Sequence, residues 1–301
     1  MPRRGNREEK HFGPVWFIPG ENSGRYPFCH SVYVEGAGLL IDPASHRERL
    51  MQLRADPGVK SVWLSHWHED HLMHLDLFED VPLWISAADA PPISDLDIFM
   101  DAYGMDQADE REYWREILTT SFHFRPRRPT GFLAEGTERS EGGLTIEVLS
   151  TPGHTPGHSA FFFKEQRVLF MGDYDLTKFG PWYGDVGSSI EETMASVRRL
   201  REIPAKGWIT GHETGLFEAD PGELWDRYLA VISVREEKLL DLLKTPRTLD
   251  DVVGAWVIYG KPREPKAFFE FGERVHMKKH LEKLMREGIV RREGDRYVRN
   301  K

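Results

Sequence analysis

Apolar and polar positions along this chain fall into short blocks. Val15-Trp16-Phe17-Ile18, Ser31-Val32-Tyr33-Val34-Glu35 and Gly38-Leu39-Leu40-Ile41-Asp42 are brief β-branched, aromatic and aliphatic runs between turn-rich connections, and they predict three short strands. Residues 45–56 are amphipathic at helical spacing, and Val59-Lys60-Ser61-Val62-Trp63-Leu64 predicts a buried strand after them. A short helix over 72–78 and a strand over 82–86 follow. The rhythm breaks between 87 and 139, where 93–103 and 109–118 predict helices and Arg125-Pro126-Arg127-Arg128-Pro129 ends them. Such a segment is either a lid beside a site or a surface packed on a partner subunit. Within it Tyr103, Tyr113, Trp114, Phe122 and His123 are candidates for a pocket wall, with core packing as the alternative for each.

Strands predicted over 144–149, 159–164, 167–171 and 207–210 come next. They are interrupted by a helix that starts at a capping box, Ser189 with Glu192, and buries Ile190, Met194, Val197, Leu200 and Ile203. Beyond residue 220 the organisation changes. A long helix over 223–243, a short one over 248–253 and a third over 273–287 precede a hairpin over 289–298 that turns on Glu293-Gly294-Asp295. Two domains are expected, 1–220 and 221–301.

The chemistry gathers at strand ends. Ser65-His66-Trp67-His68-Glu69-Asp70-His71 begins where the strand over 59–64 stops. Two-residue spacing turns His66 and His68 to the same side of an extended chain, so both reach one metal ion. Asp70 and His71, on the turn afterwards, can face a second ion about 3.5–4 Å from the first. The strand over 144–149 delivers Thr151-Pro152-Gly153-His154-Thr155-Pro156-Gly157-His158, a tight loop that places His154 as a third ligand and leaves His158 a structural role. Gly172-Asp173-Tyr174-Asp175 ends the strand over 167–171. One carboxylate can bridge two ions, and by spacing alone it is either Asp173 or Asp175. Gly211-His212 ends the last strand, and Asp42, at a strand end before Pro43, is placed to orient a ligating imidazole from behind.

Composition narrows the choices. An apolar content of 40% with 30% charged residues is that of a soluble globular protein. No run approaches membrane-spanning length, and the basic start over residues 1–10 has no apolar stretch behind it, so a cytoplasmic location without a membrane partner is expected. Cys29 is the single cysteine, which excludes an intrachain disulfide or a thiolate cluster and leaves imidazole and carboxylate to hold metal. A net charge of −9 argues against attachment to nucleic acid through a general basic surface. Residues 261–301 nevertheless carry 13 Lys/Arg against 7 Asp/Glu, so that end is locally basic.

The ordered set Asp42, His66-x-His68-x-Asp70-His71, Gly153-His154-Thr155, Gly172-Asp173 and Gly211-His212 resembles the metallo-β-lactamase superfamily, over about residues 12–217. The resemblance implies an α/β protein built as an αββα sandwich with its site at the sheet edges. It implies that His66, His68 and His154 hold one divalent ion and Asp70, His71 and His212 a second, with Asp173 rather than Asp175 bridging them. Asp70 and Asp173 then serve catalysis, Asp70 orienting a hydroxide shared by the two ions. Zn is the expected metal, and the same donors suit Mn and Fe. Members commonly carry glycines after the histidine motif, whereas Leu72-Met73-His74 stands here. The departure is expected to alter the pocket floor and makes His74 a candidate substrate contact. Tyr174, Asp175, Lys178, Trp182 and Tyr183 join it as candidates, because they follow the bridging Asp in or beside a Gly/Pro-rich loop.

The last helices and basic hairpin resemble a winged helix of the kind some hydrolases of this superfamily carry. Lys278, Lys279, Arg291, Arg292 and Arg296 are its candidates for phosphate contacts; the alternative is packing beside the active site or at a homodimer interface. The expected function is hydrolysis of a thioester or other small ester, as in the hydroxyacylglutathione hydrolases, although the basic glutathione site of that family is not located in this chain. A metal-dependent ribonuclease and an iron-dependent redox enzyme of the same fold are the other readings; the full set of seven ligands stands against the last.

Overall fold

Strand residues of both parities are apolar in the central strands because these are covered on two sides. The computed structural model describes residues 8–141 and 143–300, so most of the basic N-terminal stretch, residues 1–7, lies outside the described residues. One sheet contains, in spatial order, β1 (Lys10–Phe12), β2 (Val15–Ile18), β3 (Ser31–Val34), β4 (Leu39–Ile41), β5 (Ser61–Trp63), β6 (Leu83–Ser86) and β7 (Gly131–Leu133). Its pairs are antiparallel as far as β4 and parallel from β4 to β7. The other contains β8 (Glu138–Glu141), β9 (Leu144–Ser150), β10 (Ser159–Phe163), β11 (Val168–Phe170), β12 (Gly207–Ile209) and β13 (Leu216–Phe217), with β11 and β12 parallel and the other neighbours antiparallel.

Period-two alternation assigns each strand residue to one of two buried faces, which is why the runs read as continuous. Val32, Val34, Leu39 and Ile41 meet Phe161, Phe163, Val168 and Phe170 between the sheets. Tyr33, Leu40, Val62 and Leu83 face outward against α1 (Arg47–Leu53), α2 (Ala90–Ser94), α3 (Leu96–Tyr103) and α4 (Ala108–Thr120). Ala160, Phe162, Leu169 and Trp208 face outward on the other side, against α5 (Ile190–Glu202) and α6 (Leu224–Leu242). Three apolar interfaces therefore separate four layers, and the expected αββα sandwich is observed.

After α6 come β14 (Arg247–Thr248), α7 (Leu249–Val253), α8 (Lys266–Arg286) and the hairpin β15 (Val290–Glu293) to β16 (Arg296–Arg299), which pairs with β14 in a small antiparallel sheet. Leu239, Val252, Met277, Leu281 and Val290 form a core of their own there. Two helices belong to both cores. Trp225 and Tyr228 of α6 pack under the second sheet, and Phe271 and Val275 of α8 join the helical side of the first.

Helix α8 begins at Lys266, well before the expected 273, because Phe268, Phe271 and Val275 continue its buried face. Gly272 lies inside it where a Cβ would come 2.4 Å from the Tyr259 hydroxyl, so close helix approach explains a residue that reads as a helix breaker. The helix expected over 93–103 is two helices, since Asp95 leaves the helical region at φ −156° and caps α3 by accepting from the N–H groups of Asp97 and Ile98. Residues 72–78 supply only one 3₁₀ turn, Leu75–Phe78. No helix among the described residues is long and apolar enough to cross a membrane.

Phe161 sits between the sheets, 5.5 Å from the Trp63 ring and stacked at 6.2 Å on Phe170. Phe161→Ala is expected to lower the unfolding free energy by about 3–5 kcal/mol, read from the denaturant midpoint at constant slope. A loss below about 1 kcal/mol would contradict a close-packed inter-sheet core.

Candidate metal centre

Five strand ends converge on one edge of the sandwich. Asp42 follows β4, the histidine heptad follows β5, His154 follows β9, Asp173 follows β11 and His212 follows β12. Backbone bonds lock these ends together: Ser159 donates to the Ser65 carbonyl across the two sheets at 2.8 Å, and Gly211 to Gly172 at 2.7 Å. Small residues are required where the ends crowd. A Cβ on Gly153, whose φ is +125°, would lie 2.1 Å from the Thr193 nitrogen, and one on Gly172, at φ +54°, 2.4 Å from His158 Nε2.

His66 Nε2 and His68 Nδ1 lie 3.1 and 3.0 Å from His154 Nε2. Asp173 Oδ2 is 3.4 Å from His154 Nε2 and 3.9 Å from His66 Nε2. Its other oxygen, Oδ1, is 2.7 Å from His71 Nε2 and 3.5 Å from His212 Nε2, which is also 3.2 Å from Asp70 Oδ2. One carboxylate thus stands between two imidazole clusters.

The far nitrogen of every ring is held from outside. His66 Nδ1 meets Ser65 Oγ at 2.9 Å, His68 Nε2 meets Asp185 Oδ2 at 2.8 Å, and His71 Nδ1 meets Asp42 Oδ2 at 2.8 Å. His154 Nδ1 lies 3.1 Å from the Trp182 carbonyl and His212 Nδ1 2.8 Å from the Gly24 carbonyl. A carbonyl only accepts, so these last two rings carry their proton on Nδ1 and turn a lone pair inward. Asp42 is itself fixed by the Ser65 N–H at 2.7 Å and the Ser65 hydroxyl at 2.6 Å. His158 has the expected structural part: its Nε2 accepts from the Asp173 N–H at 3.2 Å.

The donor set fits a metal. Imidazole nitrogens about 3 Å apart, as His154 stands to His66 and His68, repel unless a cation or proton lies among them, and a tetrahedral site with arms of about 2.0–2.1 Å has edges of about 3.3 Å. The electrostatics agree. Burial, then the neighbouring His71, holds His66 well below the usual histidine range, and burial pushes His154 down to about 4. Burial is the largest influence on His71 and His212 and opposes charge, but Asp173 acting with Cys29 and Asp42 at His71, and with Asp70 and Asp175 at His212, overcomes it and both are pushed well above that range. Against burial, His71, His212, His66 and His154 hold Asp173 well below the usual carboxylate range. The centre requires positive charge beside its carboxylates.

A cavity of about 340 Å³ opens onto both clusters, touching His68, His154, Asp70, Asp173 and His212. Of the substrate candidates, Asp175 and Trp182 line it. The Tyr174 hydroxyl donates to the Thr151 carbonyl at 2.9 Å, beneath the site. Tyr183 is buried, its hydroxyl 2.9 Å from Arg235 and from His280, and Lys178 is exposed outside the lining. His74 lies apart, 3.4 Å from Arg47 and with its ring 5.8 Å from that of His123; Leu72 and Met73 are core residues, so the departure after the motif faces the interior instead of the pocket floor. Tyr103 and Trp114 line the cavity, whereas Phe122 is core.

Three participants carried no sequence signal. Asp185, buried in a Gly184-Asp185-Val186-Gly187 turn, accepts from His68 and also from the Trp182 indole at 2.9 Å. Asp89 holds the His154 loop by accepting from Thr155 Oγ1 at 2.6 Å and the Gly157 N–H at 2.7 Å. Cys29 lies beside His71 and His212, its sulfur 3.5 Å from His71 Nδ1; burial pushes its thiol up to about 11, and the S–H donates to the His30 carbonyl. Asp185→Ala is expected to weaken divalent-metal affinity about 10–100-fold, measured by competition with a chromophoric chelator on protein with an unchanged circular dichroism spectrum. Parental affinity would show that the His68 orientation does not depend on Asp185.

Residues 25–212 match the description of the metallo-beta-lactamase superfamily. A Haemophilus influenzae protein named hydroxyacylglutathione hydrolase GloC is 32% identical over 175 residues, which cover 56% of this chain and 76% of that one. A Gallus gallus protein named acyl-coenzyme A thioesterase MBLAC2 is 27% identical over 185 residues, 59% of this chain and 60% of its own. The crystal structure of a metallo-beta-lactamase family protein from Thermus thermophilus is similar with a TM-score of 0.70 and 27% identity, covering 95% of this chain and 98% of that one. With the family match spanning most of the four-layer sandwich and every strand end that feeds the His/Asp cluster, the chain belongs to the metallo-beta-lactamase superfamily and is a metal-dependent hydrolase.

Proposed function

We propose that this hydrolase cleaves thioesters, with His66, His68 and His154 holding one divalent ion, Asp70, His71 and His212 a second, and Asp173 shared between them. The observation that carries the reading is the Asp173 carboxylate, with one oxygen toward each imidazole cluster. Two such ions lower the pKa of a shared water toward neutrality and polarise a carbonyl. Zinc would suit the first cluster, which offers three imidazoles and one carboxylate as donors.

The chain's own residues do the rest. Asp70 and Asp173 reach the cavity and are placed to orient an attacking water, while Asp42, Asp185 and the Trp182 carbonyl keep the ring lone pairs aimed at the centre. Thioester cleavage is favoured by two relatives whose names describe thioester substrates, a hydroxyacylglutathione hydrolase and an acyl-coenzyme A thioesterase. The ribonuclease reading loses ground on charge: Glu69, Asp70, Asp173, Asp175 and Glu213 line the cavity, and no Lys or Arg does among the described residues. A polynucleotide would find no cationic side chain next to its scissile phosphate.

Removing metal with a chelator is expected to abolish release of thiol from an acyl thioester, followed with a thiol-reactive dye, and zinc to restore it. Asp173→Asn is expected to lower turnover by at least about a hundredfold with the circular dichroism spectrum unchanged. Full activity after either treatment would sink the reading.

A further inference from the structure

The cavity above the clusters is closed on its far side by residues from the C-terminal part of the chain. Tyr259 and, from the first turns of α8, Phe268, Phe269 and Phe271 continue an aromatic wall begun by Tyr26, Tyr103 and Trp114. The rings are in contact: centroids are 5.5 Å apart for Tyr26 and Phe268, 5.6 Å for Trp114 and Phe268, 6.1 Å for Trp114 and Phe271, and 6.2 Å for Tyr103 and Phe271. The wall is fastened from behind. Glu273 accepts from the N–H groups of Ile258 and Tyr259 at 2.9 and 2.7 Å, and Arg274 pairs with Glu110 of α4 at 3.4 Å.

Two of its tyrosine hydroxyls are engaged with one carboxylate. Tyr26 donates its hydroxyl to one oxygen of Glu69 at 2.7 Å and Tyr103 donates to the other, so neither hydroxyl has a proton left to donate to a ligand. What the wall offers is ring surface. The lining carries acids without a Lys or Arg beside them: beyond the two assigned to the metals, Glu69, Asp175 and Glu213 are present. A carboxylate or phosphate at the far end of the acyl group, away from the ions, would face these acids with no Lys or Arg beside it.

We propose that this cavity is the acyl subsite of the enzyme and takes an uncharged, extended apolar acyl chain, with Phe268 and its neighbours on α8 setting the preference. The proposal rests on the thioester reading above. In the reaction, water adds its oxygen to the acyl carbon and the C–S bond breaks. One water proton leaves with the thiol and the other with the carboxylic acid, which then ionises. The chain lies along the aromatic wall, and the carrier of the thiol stays outside the cavity. Glutathione thioesters, with carboxylates on the carrier and a short polar acyl group, gain little from such a wall.

The test uses thioesters of one small neutral thiol, N-acetylcysteamine, with acyl groups from acetyl to dodecanoyl and with succinyl, on the metal-loaded full chain. In parallel, acetate, octanoate and dodecanoate are titrated against tryptophan fluorescence, since Trp114 and Trp182 line the cavity. Apolar burial allows up to about fourfold per added methylene, so kcat/KM is expected to rise at least about a hundredfold from acetyl to octanoyl. Succinyl is expected to fall at least about tenfold below butanoyl. Phe268 is only partly buried, and Phe268→Ala should reduce the octanoyl-to-acetyl ratio at least about fivefold, with Phe268→Leu recovering part of it. A flat or falling chain-length profile in both kcat/KM and carboxylate binding, a preference for succinyl, or an unchanged ratio in Phe268→Ala would overturn the proposal. If dodecanoate binds more tightly than acetate and no thioester is cleaved, the apolar subsite stands and the thioester reading falls.

Discussion

Five imidazoles share one buried space, each held from outside by one nitrogen and turned inward by the other. The outward nitrogens are held by Ser65, Asp185, Asp42 and two backbone carbonyls, while the inward ones converge on Asp173 and on one another. Buried lone pairs at about 3 Å cost several kcal/mol without a cation between them. Much of the fold serves this constraint. Both sheets must end at the same edge, their loops must be tied backbone to backbone, and glycine must stand where the strand ends pass within contact distance.

The same constraint draws in the C-terminal part of the chain. Arg235 of α6, buried against the Phe179 and Tyr183 rings, donates to the carbonyls of Phe179 at 2.7 Å and Pro181 at 3.0 Å and so fixes the loop that carries Trp182. The Trp182 carbonyl holds His154, and its indole holds Asp185, which in turn holds His68. His276 of α8 meets the Trp182 ring edge-on at 4.4 Å. Two of the three imidazoles of the first cluster are therefore oriented through a loop that α6 and α8 clamp, and α8 also closes the cavity. The region after residue 220 is part of the site's frame.

The strands and the ligating cluster were legible because they leave local marks: runs of β-branched and aromatic residues for the first, histidine and aspartate after glycine for the second. What the sequence hid was distant or featureless. Asp185 sits 117 positions from the ring it orients, and a lone Asp between glycines reads as a turn. Strands β1, β7, β8, β13 and β14 are two to four residues long and several are polar, too short for a period-two pattern to emerge. Lys178 and His74 looked chemical from their neighbours, yet the chain direction sends one to solvent and the other beside Arg47. The aromatic wall was invisible for a different reason: Phe268 and Phe271 lie more than 150 residues from the partners Tyr103 and Trp114, and they precede the helix expected over 273–287.

The central claim is that this single edge holds two ions. Calorimetric titration of chelator-stripped, refolding-competent protein with zinc tests it most directly. About two equivalents per chain are expected to bind, as a bridged dinuclear centre requires. Saturation at one equivalent, or no binding, would contradict a shared Asp173 and leave the inward imidazoles without an explanation.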